Sequence, residues 1–205
     1  MSTRPQILQF RVTLNEVEPV IWREIQVPTA YDFWALHVAI QDAMGWEDAH
    51  LHVFHVAKPK TRRFERIGIP DDAGFANGPP TLPGWEVPIA PYFAKVGASA
   101  VYEYDFGDDW RHVVTLQEIL APEPRRKYPR CVAGARACPP EDCGGAHGYE
   151  GFLLAIRDPD HEEHEHLREW IGGDFDPEAF KPGSVRFDDP QKRWKSAFGR
   201  RGQRG

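Results

Sequence analysis

The 205-residue sequence predicts an α+β fold, on three observations. Leu8, Phe10, Val12 and Leu14 alternate with Gln9, Arg11 and Thr13, the period-two pattern of a half-buried strand. A helix-period segment follows closely. A second alternating pair stands past the middle of the chain. After a polar connection, Val20 to Val27 reads as the return strand of a first hairpin, favoured by its β-branched residues and Trp22. Pro28 ends it. Thr29 is expected to cap a helix, with Asp32 reaching back as the capping-box acid. Phe33, Leu36, Ile40 and Met44 recur on one helical face, and Gly45 supplies the stop. A third strand is expected around Leu51, Val53 and His55. Hairpin, helix and strand together make a β-grasp-like core in a mixed sheet.

Residues 57–98 hold seven Pro and five Gly and read as a long loop insertion, with one short strand around Arg63 to Ile67. The second hairpin runs from Val101 to Phe106, turns at Gly107-Asp108-Asp109 and returns from Trp110 to Leu116. A Pro- and Arg-rich connector, residues 121–130, leads into a cysteine segment. C-terminal helices are expected around Phe152 to Ile156, from an N-cap at Asp160 to about Ile171, and from Asp189-Pro190 through Phe198. Residues 1–198 read as one domain. The end, residues 199–205, reads as a basic disordered tail.

Composition narrows the function classes. Hydrophobic residues make up 41% and charged residues 27%, which suits a packed core and not a disordered chain. No apolar run of spanning length occurs and no secretory signal is visible, so a cytoplasmic protein without membrane contact is expected. Charge is uneven. Residues 101–180 carry 8 basic and 18 acidic side chains, and residues 181–205 carry 8 basic and 2 acidic. The acidic part repels phosphates unless a metal is held there, while the basic end offers at most weak contact with nucleic acid.

Three constellations are able to carry chemistry. Cys131, Cys138, Cys143 and His147 supply three thiolates and an imidazole, a donor set for zinc, though the spacing is not that of a zinc ribbon. Glu103, Asp105, Asp108, Asp109 and His112 crowd the second hairpin, where carboxylates hold a divalent metal, or Asp105 and Asp108 simply fix the turn around Gly107 while Trp110 fills the core. His161 and His164 share a helical face, but the spacing is not HExxH, and a solvated helix start explains the cluster. Phosphate-binding glycine loops and nucleophile elbows are absent.

The run Tyr102-Glu103-Tyr104-Asp105-Phe106-Gly107-Asp108-Asp109-Trp110-Arg111-His112 and the run Cys138-Pro139-Pro140-Glu141-Asp142-Cys143-Gly144-Gly145 resemble the Ri-plasmid open-reading-frame-three family, also labelled transposon-passenger TnpR-like proteins. Ile21-Trp22-Arg23, Gly45-Trp46 and Gly148-Tyr149 fit the same family. The resemblance implies a single α+β domain. The family's activity is not established, and relatives fused to DNA-binding domains imply a sensing or partner-binding module; with the missing catalytic templates, a mobile-element-associated non-enzymatic binding module is expected. No recombinase nucleophile setting is recognisable.

The expected ligand surface lies between the two motif runs and draws on Asp105, Asp108, Asp109, Trp110, His112, Glu141 and Asp142. Its partner is a protein or small molecule. The competing reading is a metal-dependent hydrolase or nuclease using the same acids with His112.

Overall fold

Ile7–Leu14 forms β1 and Trp22–Pro28 forms β2, antiparallel with Phe10 opposite Ile25. Phe10, Val12, Ile25 and Val27 have no exposed surface, while Arg11 and Glu24 on the other face form an ion pair at 3.5 Å. This computed structural model describes residues 5–61, 63–70 and 80–199. Most of the expected basic tail, residues 200–205, lies outside the described residues, as does the centre of the expected long loop, residues 71–79.

Helix α1, Phe33–Met44, starts later than Thr29 suggests. Asp32 is its N-cap, with Oδ1 accepting the Ala35 N–H at 2.7 Å. Thr29 instead donates its hydroxyl to the Gln6 carbonyl at 3.1 Å, tying the end of β2 to β1. A carboxylate is the better acceptor for helix N–H groups at the positive end of the dipole, so Asp32 sets the start. Gly45 closes the helix in the left-handed conformation, φ 93°, as the sequence predicts.

The single apolar face read from the sequence understates the burial of α1. Every residue from Phe33 to Met44 except Asp42 is buried. Phe33, Leu36 and Ile40 face the sheet. The opposite side, with Trp34, is covered by α4, Pro190–Phe198. Trp34 Nε1 donates to the Pro190 carbonyl at 2.8 Å, and Arg193 of α4 pairs with Asp42 at 2.6 Å.

Beyond α1 come β3 (His52–Ala57), β4 (Phe64–Gly68), β5 (Thr81–Pro83), β6 (Ser99–Tyr104), β7 (Trp110–Leu120) and β8 (Arg130–Ala135). Eight strands form one sheet in the order β5-β4-β3-β6-β7-β1-β2-β8. Only the β4–β5 pairing is parallel, so the sheet is mixed. The second hairpin, β6–β7, is inserted between β3 and β1. The edges β5 and β8 are the strands the sequence pattern does not reveal. β5 is three residues ending in Pro, tolerated because an edge strand leaves one side unpaired. β8 carries the small residues Ala133, Gly134 and Ala135 where strand signals want bulk.

Two short helices follow. Helix α2 is Gly145–Arg157 and α3 is His164–Trp170. Asp160 does not cap α3; Glu163 precedes its first turn. His164 is buried, with Nδ1 2.9 Å from the Ala155 carbonyl, so it docks α3 onto α2 and is not part of a solvated helix start.

Candidate functional site

The two motif runs meet. The turn after β6 and the loop before α2 are tied together by the Gly144 N–H, which donates to Asp108 Oδ2 at 3.1 Å. Gly145, at φ 70°, lies so close to this turn that a Cβ would stand 2.4 Å from the Asp108 carbonyl oxygen. Only glycine permits that approach. A third segment, the loop after α1, joins them. Trp46 Nε1 donates to the Pro139 carbonyl at 2.9 Å, the Glu47 N–H to Glu141 Oε2 at 3.1 Å, and the Ala49 N–H to the Tyr104 hydroxyl at 3.0 Å. The Tyr104 hydroxyl in turn donates to Glu141 Oε1.

His50, Asp105 and Asp142 stand at this three-way junction. Their ligand atoms all lie within 4.8 Å of one another, the group among the described residues that meets metal-holding spacing. His50 Nε2 is 3.0 Å from Asp142 Oδ1 and 3.6 Å from Asp105 Oδ2. His50 thus stands within ion-pair distance of both carboxylates without a well-aligned hydrogen bond to either. Asp105 is held rigidly: it is buried, its N–H donates to the Leu51 carbonyl at 3.0 Å, and its Oδ1 accepts the Gly107 N–H at 3.0 Å. Asp142 is exposed. Both aspartates have left-handed backbone, φ 56° and 58°, a conformation their short polar side chains tolerate better than most.

The expected ligand residues thus divide by role. Asp105 and Asp142 face the junction. Asp108 and Glu141 are clamps that use their oxygens on backbone N–H groups. Asp109 pairs with Arg111 at 2.8 Å on the surface. Trp110 and His112 point the other way. Alternation along β7 sends both into the core, where Trp110 is 2% and His112 0% exposed. Trp46 packs against each, with ring centroids 5.8 and 5.3 Å away. Burial lowers the His112 pKa to about 4, so the ring stays neutral.

The cysteine set does not gather. Cys131 lies on β8 and donates its thiol to the Ala133 carbonyl at 3.3 Å. Cys138 sits near the buried Arg23, and His147 is exposed on the first turn of α2. Burial is the largest influence on all three thiols. It pushes Cys131 up to about 11 and Cys143 up to about 12, and raises Cys138 further. His50 carries no sequence signal of its own. Its partners come from distant segments, and only the fitted Gly45-Trp46 pair points at the loop it belongs to.

A second polar cluster lies inside the molecule. Gln41 Nε2 donates to the Tyr102 hydroxyl, whose proton goes to His37 Nδ1, each at 2.8 Å. The His37 Nε2–H then donates to Asp48 Oδ1 at 2.8 Å, which fixes the tautomer. Burial raises the Asp48 pKa to about 6 and holds His37 well below the ordinary histidine value. His52 stacks on His37 at 3.5 Å and 9°, with both ring nitrogens unpartnered.

Comparison with known proteins bears on most of the chain. An uncharacterised protein of Sinorhizobium fredii, y4hQ, is 33% identical over 192 residues, covering 92% of this chain and 94% of the relative. The crystal structure of MM3350, a protein of unknown function from Methanosarcina mazei Go1, superposes with a TM-score of 0.80 at 42% identity, covering 90% of this chain and all of that one. The model of the plasmid pRiA4b ORF-3-like protein family matches residues 6–184, so the chain belongs to that family.

Proposed function

We propose that this protein is a non-enzymatic binding module of a plasmid-linked family, and that its ligand site is the His50–Asp105–Asp142 junction, taking a divalent transition metal. One observation carries the reading: three ligand atoms from three separate segments converge within 4.8 Å, and His50 Nε2 has no aligned hydrogen bond to either aspartate. An imidazole with two carboxylates suits zinc or manganese, whereas magnesium and calcium prefer oxygen donors alone. The scaffold supports it, since Asp108, Glu141 and Tyr104 lock the segments in place before any ligand arrives. A preformed site needs little ordering on binding. The reading is tested by calorimetric titration of zinc chloride and magnesium chloride into wild type, Asp105→Asn and Asp142→Asn. Zinc binding at one site, weakened in both variants, supports it; equal affinity in all three proteins rejects it.

The second reading is a metal-dependent hydrolase. It is favoured by the exposed side of the site at Asp142, since three protein ligands leave positions for water and substrate. Turnover of a model phosphodiester by wild type with manganese, lost in Asp105→Asn, separates it from pure binding.

A further inference from the structure

Away from the acidic junction, α4 lies in a groove between α1 and the single 3-10 turn Gly84–Glu86. Its inner side carries two aromatic anchors four residues apart and one arginine. The Phe198 ring centroid stands 5.5 Å from Trp34, 5.2 Å from Trp85 and 5.8 Å from Trp194. Trp194 meets Trp85 edge to face at 6.0 Å. Arg193 pairs with Asp42 at 2.6 Å and stands 3.6 Å from Asp48, two carboxylates that are only 6% and 10% exposed. Two backbone groups complete the seat. Trp34 Nε1 donates to the Pro190 carbonyl, and the Asp188 N–H donates to Asp42 Oδ2, each at 2.8 Å. This is the recognition of an amphipathic helix by a groove, carried out within one chain.

The helix is seated without being sealed. No residue of α4 is buried. Arg193 Nη1 and Trp194 Nε1 are shut off from water with no aligned hydrogen-bond partner. Cavities of about 440 and 680 Å³ flank the helix, one along Pro190 and Trp194, the other along Lys192 and Ser196. A core element packs to the density of an organic crystal and leaves few buried polar groups unpaired, and α4 departs from both. It also lies beyond residue 184, where the match to the family stops. Residues 185–189, which join it to the 3-10 turn Pro182–Ser184, are in neither helix nor strand.

The chemistry of the groove names its occupant. Trp34 and Trp85 receive an aromatic pair spaced by one helical turn, and Asp42 and Asp48 receive a guanidinium. The sequence fitted to these features is that of α4 itself, so a second copy of the chain brings every contact ready-made. Reciprocal exchange closes a two-fold dimer and leaves neither groove empty. We propose that two copies of this chain associate by exchanging α4, each helix seating Arg193, Trp194 and Phe198 in the α1 groove of the other copy, with residues 185–189 as the hinge.

A tethered helix meets its groove at an effective concentration of about 1 mM, so a helix seated most of the time binds an untethered groove with a Kd of about 0.1 mM or tighter. Sedimentation equilibrium of wild type from about 10 μM to about 1 mM is expected to show a dimer fraction that rises with concentration and is absent from Trp194→Ser/Phe198→Ser. Complementation then locates the contact. The Trp194→Ser/Phe198→Ser chain keeps its groove and loses its helix anchors, while Trp85→Ser/Asp42→Ala keeps the helix and loses the groove. Each alone is expected to be monomeric, and an equimolar mixture at about 0.2 mM should form a one-to-one complex. Phe198→Ser and Asp42→Asn serve in the same way where the double substitutions unfold the chain. Wild type that stays monomeric throughout would overturn the proposal. So would a wild-type dimer beside folded variants that ignore each other on mixing, because the dimer would then use another surface. A monomeric wild type that takes up a free peptide of residues 186–199 would overturn it in favour of a helix from a different protein.

Discussion

Two regions of this molecule bring histidines beside aspartates, and they treat them in opposite ways. In the interior, His37 donates to Asp48 and accepts from Tyr102, which accepts from Gln41. Both His37 nitrogens are used. At the junction, His50 has two aspartate oxygens within 3.6 Å and is aligned with neither. Burial penalises an unpaired polar group, and both His37 nitrogens are completed by neighbours, although the stacked His52 nitrogens and Gln41 Oε1 stay unpartnered. At the junction the buried His50 Nε2 has no aligned partner although Asp105 and the exposed Asp142 stand beside it, which leaves ligand capacity to spare. The first arrangement serves as scaffolding, and the second is the proposed site.

The largest expected effect breaks the interior cluster. His37→Leu leaves the Tyr102 hydroxyl without its acceptor and Asp48 with the longer Arg193 contact at 3.6 Å, and should cost about 3 kcal/mol in urea unfolding. His52→Leu removes a ring whose nitrogens have no partner, so it should leave stability near or above wild type. Comparable losses in the two variants would show that the stack, not the hydrogen bonds, holds the interior together.

Acidity comes next. His37, His52 and His112 all titrate below the ordinary value of 6.5, because burial disfavours their charged forms. In the unfolded chain they gain protons as pH falls through 6.5, so their stability contribution is full above that pH and is lost below it. Asp48 runs the other way. Its folded pKa of about 6 lies above the ordinary aspartate value of 3.8, so it favours the fold as pH drops toward 4. The three histidines outweigh one aspartate. Unfolding measured at pH 7.5 and pH 6 should therefore show a loss of about 2 kcal/mol at the lower pH. Unchanged or higher stability at pH 6 would contradict the neutral buried histidines.

Gly145→Ala drives a methyl group against the Asp108 carbonyl at a left-handed backbone position, and is expected to cost about 2 kcal/mol and weaken zinc binding together. Loss of stability without loss of zinc would mean that the contact between the motif runs does not shape the site. The smallest stability effect belongs to Asp142→Asn, an exposed side chain, within about 0.5 kcal/mol of wild type.

Much of this contrast was legible in the sequence, for identifiable reasons. Period-two alternation located both long hairpins, and Gly45 and Asp189-Pro190 marked a helix end and a helix start correctly. Propensity did not reveal that α4 covers the second face of α1, which turns His37 and Gln41 into interior residues. The acids of the two motif runs were visible, but their roles were not. Asp108 and Asp142 look alike in sequence; one is spent on the Gly144 N–H and the other reaches His50. The strand's pleat, and not proximity to the turn, decides which way Trp110 and His112 face, so Trp110 fills the core as the turn-fixing reading expects and His112 joins it there instead of the ligand surface. His50 was missed because its partners come from separate segments of the chain.

The most direct measurement is zinc titration by calorimetry into wild type and Asp142→Asn at neutral pH. The account requires one site in wild type and an affinity at least about tenfold weaker in a variant of unchanged stability. No heat in wild type, or the same affinity in both, would show that the His50–Asp105–Asp142 junction is not a metal site.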